Sequence, residues 1–313
     1  EPQSGKRTVK RARRGEPLNT TECMLVIDSI ARTAKPIVVL SGDGILDRYP
    51  RLTEILDYGR ALGLKMIVEV TPAELTEDVV SKYSRFGGRI FRVKIGDPTD
   101  DLQHDRMEDT PRFDELEAAL DRLETHGYES HVVFTATRPD IRTLAILHDY
   151  AVRRSVRGLY CHMRFGQWGA GGARNGHGVD EFIGRFATMK EYSPPTMIVT
   201  PQCVKFVPNR FRYGRAGQAG GSWDYSCLGG KSFAFIDEES RVRPCGSRGG
   251  ERTTLRDTGY DFRNIWMHAT SFTNSRAVCR NCLHGHHVHT RDGRDRSVPT
   301  DSAPGVAGGI SSS

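Results

Sequence analysis

Four of the seven cysteines, Cys227, Cys245, Cys279 and Cys282, fall in the last third of the chain. Cys279 and Cys282 form a C-x-x-C. Cys227 and Cys245 frame a stretch that reads as a hairpin, Lys231–Asp237 and Arg241–Cys245 joined through Glu238-Glu239-Ser240. Four thiols in one loop-rich segment are the donor set of tetrahedral Zn²⁺ or of an iron–sulfur cluster, and the spacing fits either. A disulfide framework is the alternative, disfavoured because nothing in the chain carries the marks of a secreted protein. His284, His286, His287 and His289 follow and could add imidazole ligands. With no apolar pattern around them, they read as an exposed polar tail. Cys23, Cys161 and Cys203 read as small buried apolar residues.

A second set of candidate residues falls on turns. Ser41-Gly42-Asp43-Gly44 follows the apolar run Pro36–Leu40, where glycines permit close backbone approach to a ligand. Thr71 follows Lys65–Val70, and Asp97 follows Arg89–Ile95. A carboxylate at a strand end reads as functional in parallel α/β folds, although Asp before Pro is also a common turn residue.

The elements that must position these turns alternate along residues 18–163. Asn19 with Glu22 three positions on signals a helix start, and Leu52, Ile55, Leu56 and Leu62 share one helical face that Gly63 terminates. Strands are expected at 36–40, 65–70, 89–95, 131–135, 158–163 and 196–200, with helices at 76–83, 113–126, 141–153 and 179–192. That rhythm specifies βαβ units and a parallel sheet, doubly wound or barrel-like. In both, a site belongs at the C-terminal strand ends. Residues 166–178 and 210–222 are Gly-rich loops.

Composition narrows the class. At 37% hydrophobic and 27% charged residues the chain is globular, and no apolar run approaches the roughly 20 residues of a membrane helix. The first residues lack the apolar core of a signal peptide, so a cytoplasmic setting is expected. The net charge of +6 is concentrated in Lys6, Arg7, Lys10, Arg11, Arg13 and Arg14. No aromatics interleave this run, so it reads as a solvated segment and nucleic acid is disfavoured as a partner.

On these residues the chain resembles radical S-adenosylmethionine (SAM) enzymes that carry a C-terminal cysteine-rich SPASM or twitch module. Ser41–Gly44 is similar to the family's Ser-Gly-Gly-Glu-Pro turn. Thr53-Glu-Ile-Leu-Asp-Tyr-Gly-Arg-Ala-Leu-Gly63 is similar to the helix that follows it. Val93-Lys-Ile-Gly-Asp-Pro-Thr99 stands at the family's "SLDGP" strand end, with His104 and Arg106 after it. Met163–Gly171 resembles a later strand end. Cys227-Leu-Gly-Gly230, Pro244-Cys245-Gly246, Phe262–Trp266 and Cys279-x-x-Cys282 resemble the cysteine-rich module.

The resemblance implies a partial TIM-like (β/α)6 barrel lacking its first strand, followed by a small cysteine-rich metal-binding module. The expected layout is a basic segment at 1–17, the barrel at 18–200, the module at 201–297 and a disordered tail at 298–313. It implies SAM as cofactor, bound by Ser41, Gly42, Asp43, Gly44, Thr71 and Asp97. It further implies a SAM-cleaving [4Fe–4S] cluster on a motif upstream of this chain, an auxiliary cluster held by Cys227, Cys245, Cys279 and Cys282, a peptide or small-molecule precursor as substrate, and a reductant such as flavodoxin or ferredoxin. The implied reaction is hydrogen abstraction by a 5′-deoxyadenosyl radical.

Three departures stand beside it. The family's C-x-x-x-C-x-x-C is absent, so the chain is expected to begin just downstream of that motif and to be inactive alone. The family's Glu that meets the SAM amine falls at Gly44, leaving Asp43 as the nearest carboxylate. Ser240 stands where the family commonly has Gly. A degenerate, non-catalytic iron–sulfur or zinc relative of the same fold is the alternative.

Overall fold

The computed structural model describes residues 16–34, 36–96, 98, 111–137, 140–163, 177–201, 204–208, 223–228, 232–244 and 254–268. The first helix, α1 (Thr20–Thr33), starts at the expected cap. The Asn19 side chain accepts from the Glu22 amide, and the Glu22 carboxylate accepts from the Asn19 amide at 2.9 Å. This reciprocal pair satisfies two helix-start donors that would otherwise be orphaned.

Strands and helices then alternate as β1 (Ile37–Ser41), α2 (Ile45–Arg48), α3 (Leu52–Ala61), β2 (Lys65–Val70), α4 (Glu77–Lys82), β3 (Phe91–Lys94), α5 (Pro111–Thr125), β4 (His131–Ala136), α6 (Ile141–Arg153), β5 (Gly158–Met163), α7 (His177–Tyr192) and β6 (Ile198–Pro201). The six strands form one parallel sheet in sequence order. This is the parallel sheet that the sequence rhythm specifies, in the partial TIM-like half-barrel form that the resemblance implies.

The two faces of that sheet differ in chemistry. Side chains alternate across a strand, and in-register neighbours share a face. Val68, Val70, Phe91, Val93, Val132, Phe134, Leu159, Cys161 and Val199 all point to the helices and form the main core with Leu56, Leu116, Leu120, Leu144 and Phe186. The opposite face, the lumen, follows from the pairs Ser41↔Glu69, Glu69↔Arg92, Lys94↔Val133, Val133↔Tyr160 and Thr135↔His162. It carries Ser41, Glu69, Arg92, Lys94, His131, Thr135, Tyr160 and His162.

Beyond the sheet lies an antiparallel pair, β7 (Val204–Pro208) and β8 (Trp223–Cys227). The sequence shows here only the Gly-rich segment at 210–222, which lies between the two strands and hides the hairpin pattern. The hairpin expected between Cys227 and Cys245 is present as β9 (Phe235–Ile236) and β10 (Val242–Arg243). With α8 (Phe262–His268) it encloses a second small core of Leu18, Val26, Val242, Leu255, Phe262 and Ile265. The α1 helix is thus shared: Ile27 and Ala31 face the main core and Val26 faces the second. Glu22, at the start of α1, is tied to the C-terminal segment by Arg256, whose Nε lies 2.7 Å from Oε1, and by the Tyr260 hydroxyl, which donates at 2.6 Å.

Candidate functional site

β1 ends at Ser41, and the chain turns through Gly42 and Asp43 into α2. Gly44 is the N-cap of that helix with φ +64°, a left-handed conformation that costs an L-residue roughly 1–2 kcal/mol. A Cβ at Gly42 or Gly44 would meet nothing within 4 Å, so the turn leaves open space above its backbone. Asp43 reaches across β2 to β3, where the Lys94 ammonium donates to it at 2.6 Å. This ion pair links the first and third strand ends at the mouth of the half-barrel. The Asp43 side chain is almost fully exposed and Lys94 mostly buried.

Thr71 follows the end of β2. Its hydroxyl donates to Glu74 at 2.9 Å and its amide donates to the same carboxylate at 2.8 Å. The hydroxyl therefore braces the tight turn at Pro72–Glu74. Cys227 is the last residue of β8, opposite Val204. Asp97, Cys245, Cys279, Cys282 and the histidines from 284 to 289 lie outside the described residues. Cys161 is fully buried on the helix face of β5. Burial pushes the Cys23 thiol up to about 11, the opposite of what a thiolate ligand needs.

The lumen holds a cluster that sequence reasoning missed. Glu69 is fully buried; its Oε1 lies 3.4 Å from the Arg92 guanidinium and 3.4 Å from His162 Nε2. The Arg92 guanidinium stacks over the Tyr160 ring at 3.9 Å. Four residues from β2, β3 and β5 thus converge, with two strands between Glu69 and His162 in the sheet. Within the cluster, Glu69 and Arg92 are enclosed, while the His162 side chain remains 31% exposed.

Below the cluster the Tyr160 hydroxyl lies 3.4 Å from His131 Nδ1, and His131 Nε2 lies 3.3 Å from Glu129. Burial holds the His131 imidazole down near about 4, so it is neutral at pH 7. Gly158 makes this layer possible: a Cβ there would come within 2.4 Å of His131 Nδ1 and 2.6 Å of the Tyr160 ring. The signal for the cluster is present in the sequence as polar residues at every second position, Arg92-x-Lys94 and Tyr160-x-His162, inside otherwise apolar strands.

A buried Glu–Arg pair is a poor stabiliser, because desolvating both charges offsets most of their attraction. Apolar residues would pack such a lumen at no loss of stability. Charged groups held there, together with strand-end turns at the same mouth, define a parallel α/β half-barrel built around an enclosed polar site.

Comparison with known proteins sharpens this class. No family model matches the chain. It is 25% identical over 276 residues to the AdoMet-dependent heme synthase of Methanosarcina barkeri (strain Fusaro / DSM 804), covering 83% of this chain and 76% of that protein. Its fold matches Streptococcus suis SuiB bound to S-adenosylmethionine, with TM-score 0.55 and 9% identity over 85% of this chain and 64% of that one. It also matches SuiB bound to its precursor peptide SuiA, with TM-score 0.51 and 11% identity over 88% of this chain and 64% of that one. The chain thus spans under two thirds of the length of these solved structures. In sequence the chain is thus similar to an AdoMet-dependent heme synthase, and in fold to SuiB.

Proposed function

We propose that the full-length protein is a radical SAM enzyme whose half-barrel binds SAM at the Ser41–Gly44 turn and modifies a peptide or cofactor precursor held in the lumen. The observation that carries this reading is the Asp43–Lys94 pair across the mouth. The methionyl end of SAM is a zwitterion, and a carboxylate and an ammonium 2.6 Å apart are its complement. In this reading Asp43 accepts from the ligand ammonium and Lys94 donates to the ligand carboxylate. The open space over Gly42 and Gly44 admits the ligand backbone, and the Ser41 hydroxyl faces the lumen beside it. Thr71 and Asp97 complete the proposed rim.

Reductive cleavage of SAM at an iron–sulfur cluster supplies a hydrogen-abstracting 5′-deoxyadenosyl radical. The chain's own residues bind, orient and shield. Ile67 and Val133, buried on the lumen face, limit water around the reacting groups. Cys227, Cys245, Cys279 and Cys282 are the proposed ligands of an auxiliary cluster, in a cysteine-rich module whose hairpin and α8 dock on α1. Their donor chemistry suits iron–sulfur or zinc. A flavodoxin- or ferredoxin-type reductant is the proposed electron donor. The likeness to SuiB, solved with its precursor peptide, supports a peptide substrate. The likeness to a heme synthase supports a cofactor precursor.

The test is anaerobic iron and sulfide analysis with EPR on the full-length protein, with and without SAM. A cluster signal that shifts on adding SAM is expected. Zinc in place of iron, with no SAM response, would instead identify a degenerate, non-catalytic relative. Removing either charge of the mouth pair, Asp43→Asn or Lys94→Met, is expected to weaken SAM binding by about 10- to 100-fold, the value of one charge-assisted hydrogen bond.

A further inference from the structure

The lumen cluster presents one imidazole whose orientation is fixed on one side, while its Nδ1 has no hydrogen-bond partner among the described residues. His162 Nε2 faces the Glu69 carboxylate at 3.4 Å, and a carboxylate only accepts, so Nε2 carries the proton. In that tautomer the lone pair lies on Nδ1. Glu69 is fully buried and Arg92 nearly so, which leaves the partly exposed His162 as the member of the cluster that a lumen ligand can reach.

The other described histidines are placed differently. His131 is 3% exposed and lies between Glu129 and Tyr160. His126 pairs with Glu77 at 2.9 Å and with the Arg122 carbonyl, on the outside of the fold. His148 resembles a hydrolytic arrangement, with Nε2 2.8 Å from Ser193 Oγ and Asp149 beside it. There, however, the Ser193 hydroxyl donates to the Met189 carbonyl at 2.6 Å, so it can only accept from His148, and the pair secures the end of α7. His268 is the last residue of α8.

We propose that His162 is the general base of the lumen and Glu69 the residue that positions it. The matching substrate class is a molecule that brings an acidic N–H or O–H to the lumen. This rests on the reading of the lumen as the substrate site. The step is a plain proton transfer. The substrate N–H or O–H bond breaks and leaves its electron pair on the heteroatom, while a new N–H bond forms at His162 Nδ1. Glu69 then faces an imidazolium, whose charge it stabilises. Arg92 and Lys94 share this face, and the Arg92 guanidinium lies 3.4 Å from Glu69.

Two measurements on the SAM-free protein test this, so their outcome is separate from whether SAM is cleaved. The first is ¹⁵N-histidine NMR, with the His162 signals assigned through His162→Gln. The expected result is Nε2 protonated and Nδ1 bare in the wild type, with that preference lost in Glu69→Gln. The second is diethylpyrocarbonate labelling read by peptide mass spectrometry on wild-type protein. His162 is expected to label faster than His131. A proton resident on Nδ1, or labelling of His162 no faster than His131, overturns the proposal even if Glu69→Gln fails to fold.

Discussion

Glu22 at the start of α1 and Glu69 in β2 are both fully buried, and each faces an arginine, yet the two sites are built differently. Around Glu22 the fit is tight. Arg256 grips both oxygens at 2.7 and 3.0 Å, Tyr260 donates at 2.6 Å and the Asn19 amide at 2.9 Å. Burial alone would raise this carboxyl, but the bonds from Arg256, Tyr260 and Asn19 outweigh it and hold Glu22 below the ordinary range. Arg256 also donates to the carbonyls of Glu16 and Pro17. Around Glu69 the contacts to Arg92 and His162 are both 3.4 Å long. The first site joins two parts of the chain. The second keeps charge inside a lumen, with geometry loose enough to respond to a ligand. The same pair of residue types is thus held at short contact in one place and at 3.4 Å in the other.

Breaking the tight pair is expected to have the largest effect. Arg256→Ala leaves Glu22 buried without its counter-charge and frees two backbone carbonyls. A loss of about 3–5 kcal/mol is expected in urea unfolding, with new proteolytic cleavage in residues 232–268. Removing both members of the loose pair, Glu69→Leu with Arg92→Met, is expected to leave stability unchanged or raise it by about 1–4 kcal/mol while abolishing substrate turnover. The same double replacement at Glu22 and Arg256 is expected to lose stability, because the part-buried Tyr260 hydroxyl and Asn19 amide lose their acceptor. If both double variants behave alike, the contrast is wrong.

A pH effect marks the lumen floor. His131 titrates near about 4 when folded, against an ordinary 6.5, so the unfolded chain binds the extra proton first. Its contribution is intact above pH 6.5 and is lost progressively as pH falls toward 4, by up to about 3 kcal/mol. Thermal melts across that window should show the slope, and His131→Gln should flatten it.

The smallest expected effect is a gain, on the hairpin side. Ser240 sits at φ +66°, fully buried, and its hydroxyl finds no hydrogen-bond partner among the described residues. Asp237 fixes the turn around it, accepting from the amides of Glu239 and Arg241 at 3.0 and 2.9 Å. Ser240→Gly should stabilise by about 1–2 kcal/mol in the same urea assay, by relieving left-handed strain and removing a buried hydroxyl.

Much of this architecture is legible before any coordinates. The capping box at Asn19 and Glu22, the Leu52–Ile55–Leu56 face and strands 65–70 and 158–163 are local signals, and the folded chain follows them. Ser240 is legible too, as an exception: a position that resembles a family glycine does take a glycine-like φ. The lumen is not legible in the same way. Glu69 and His162 are 93 residues apart, and their meeting depends on sheet order, register and curvature together. The Asp43–Lys94 link is equally non-local. The two-residue alternation of Arg92-Val93-Lys94 and Tyr160-Cys161-His162 marks a polar face, but only strand pairing shows which residues converge on it. The β7–β8 hairpin escapes notice because turn-forming residues dominate its connection.

The most direct test of the central claim is product analysis. The full-length protein, prepared anaerobically with iron and sulfide, would be incubated with SAM and a strong reductant, and 5′-deoxyadenosine measured by chromatography. The account predicts 5′-deoxyadenosine in the wild type and far less in Asp43→Asn. Protein that carries iron and a folded half-barrel yet leaves SAM intact would contradict it.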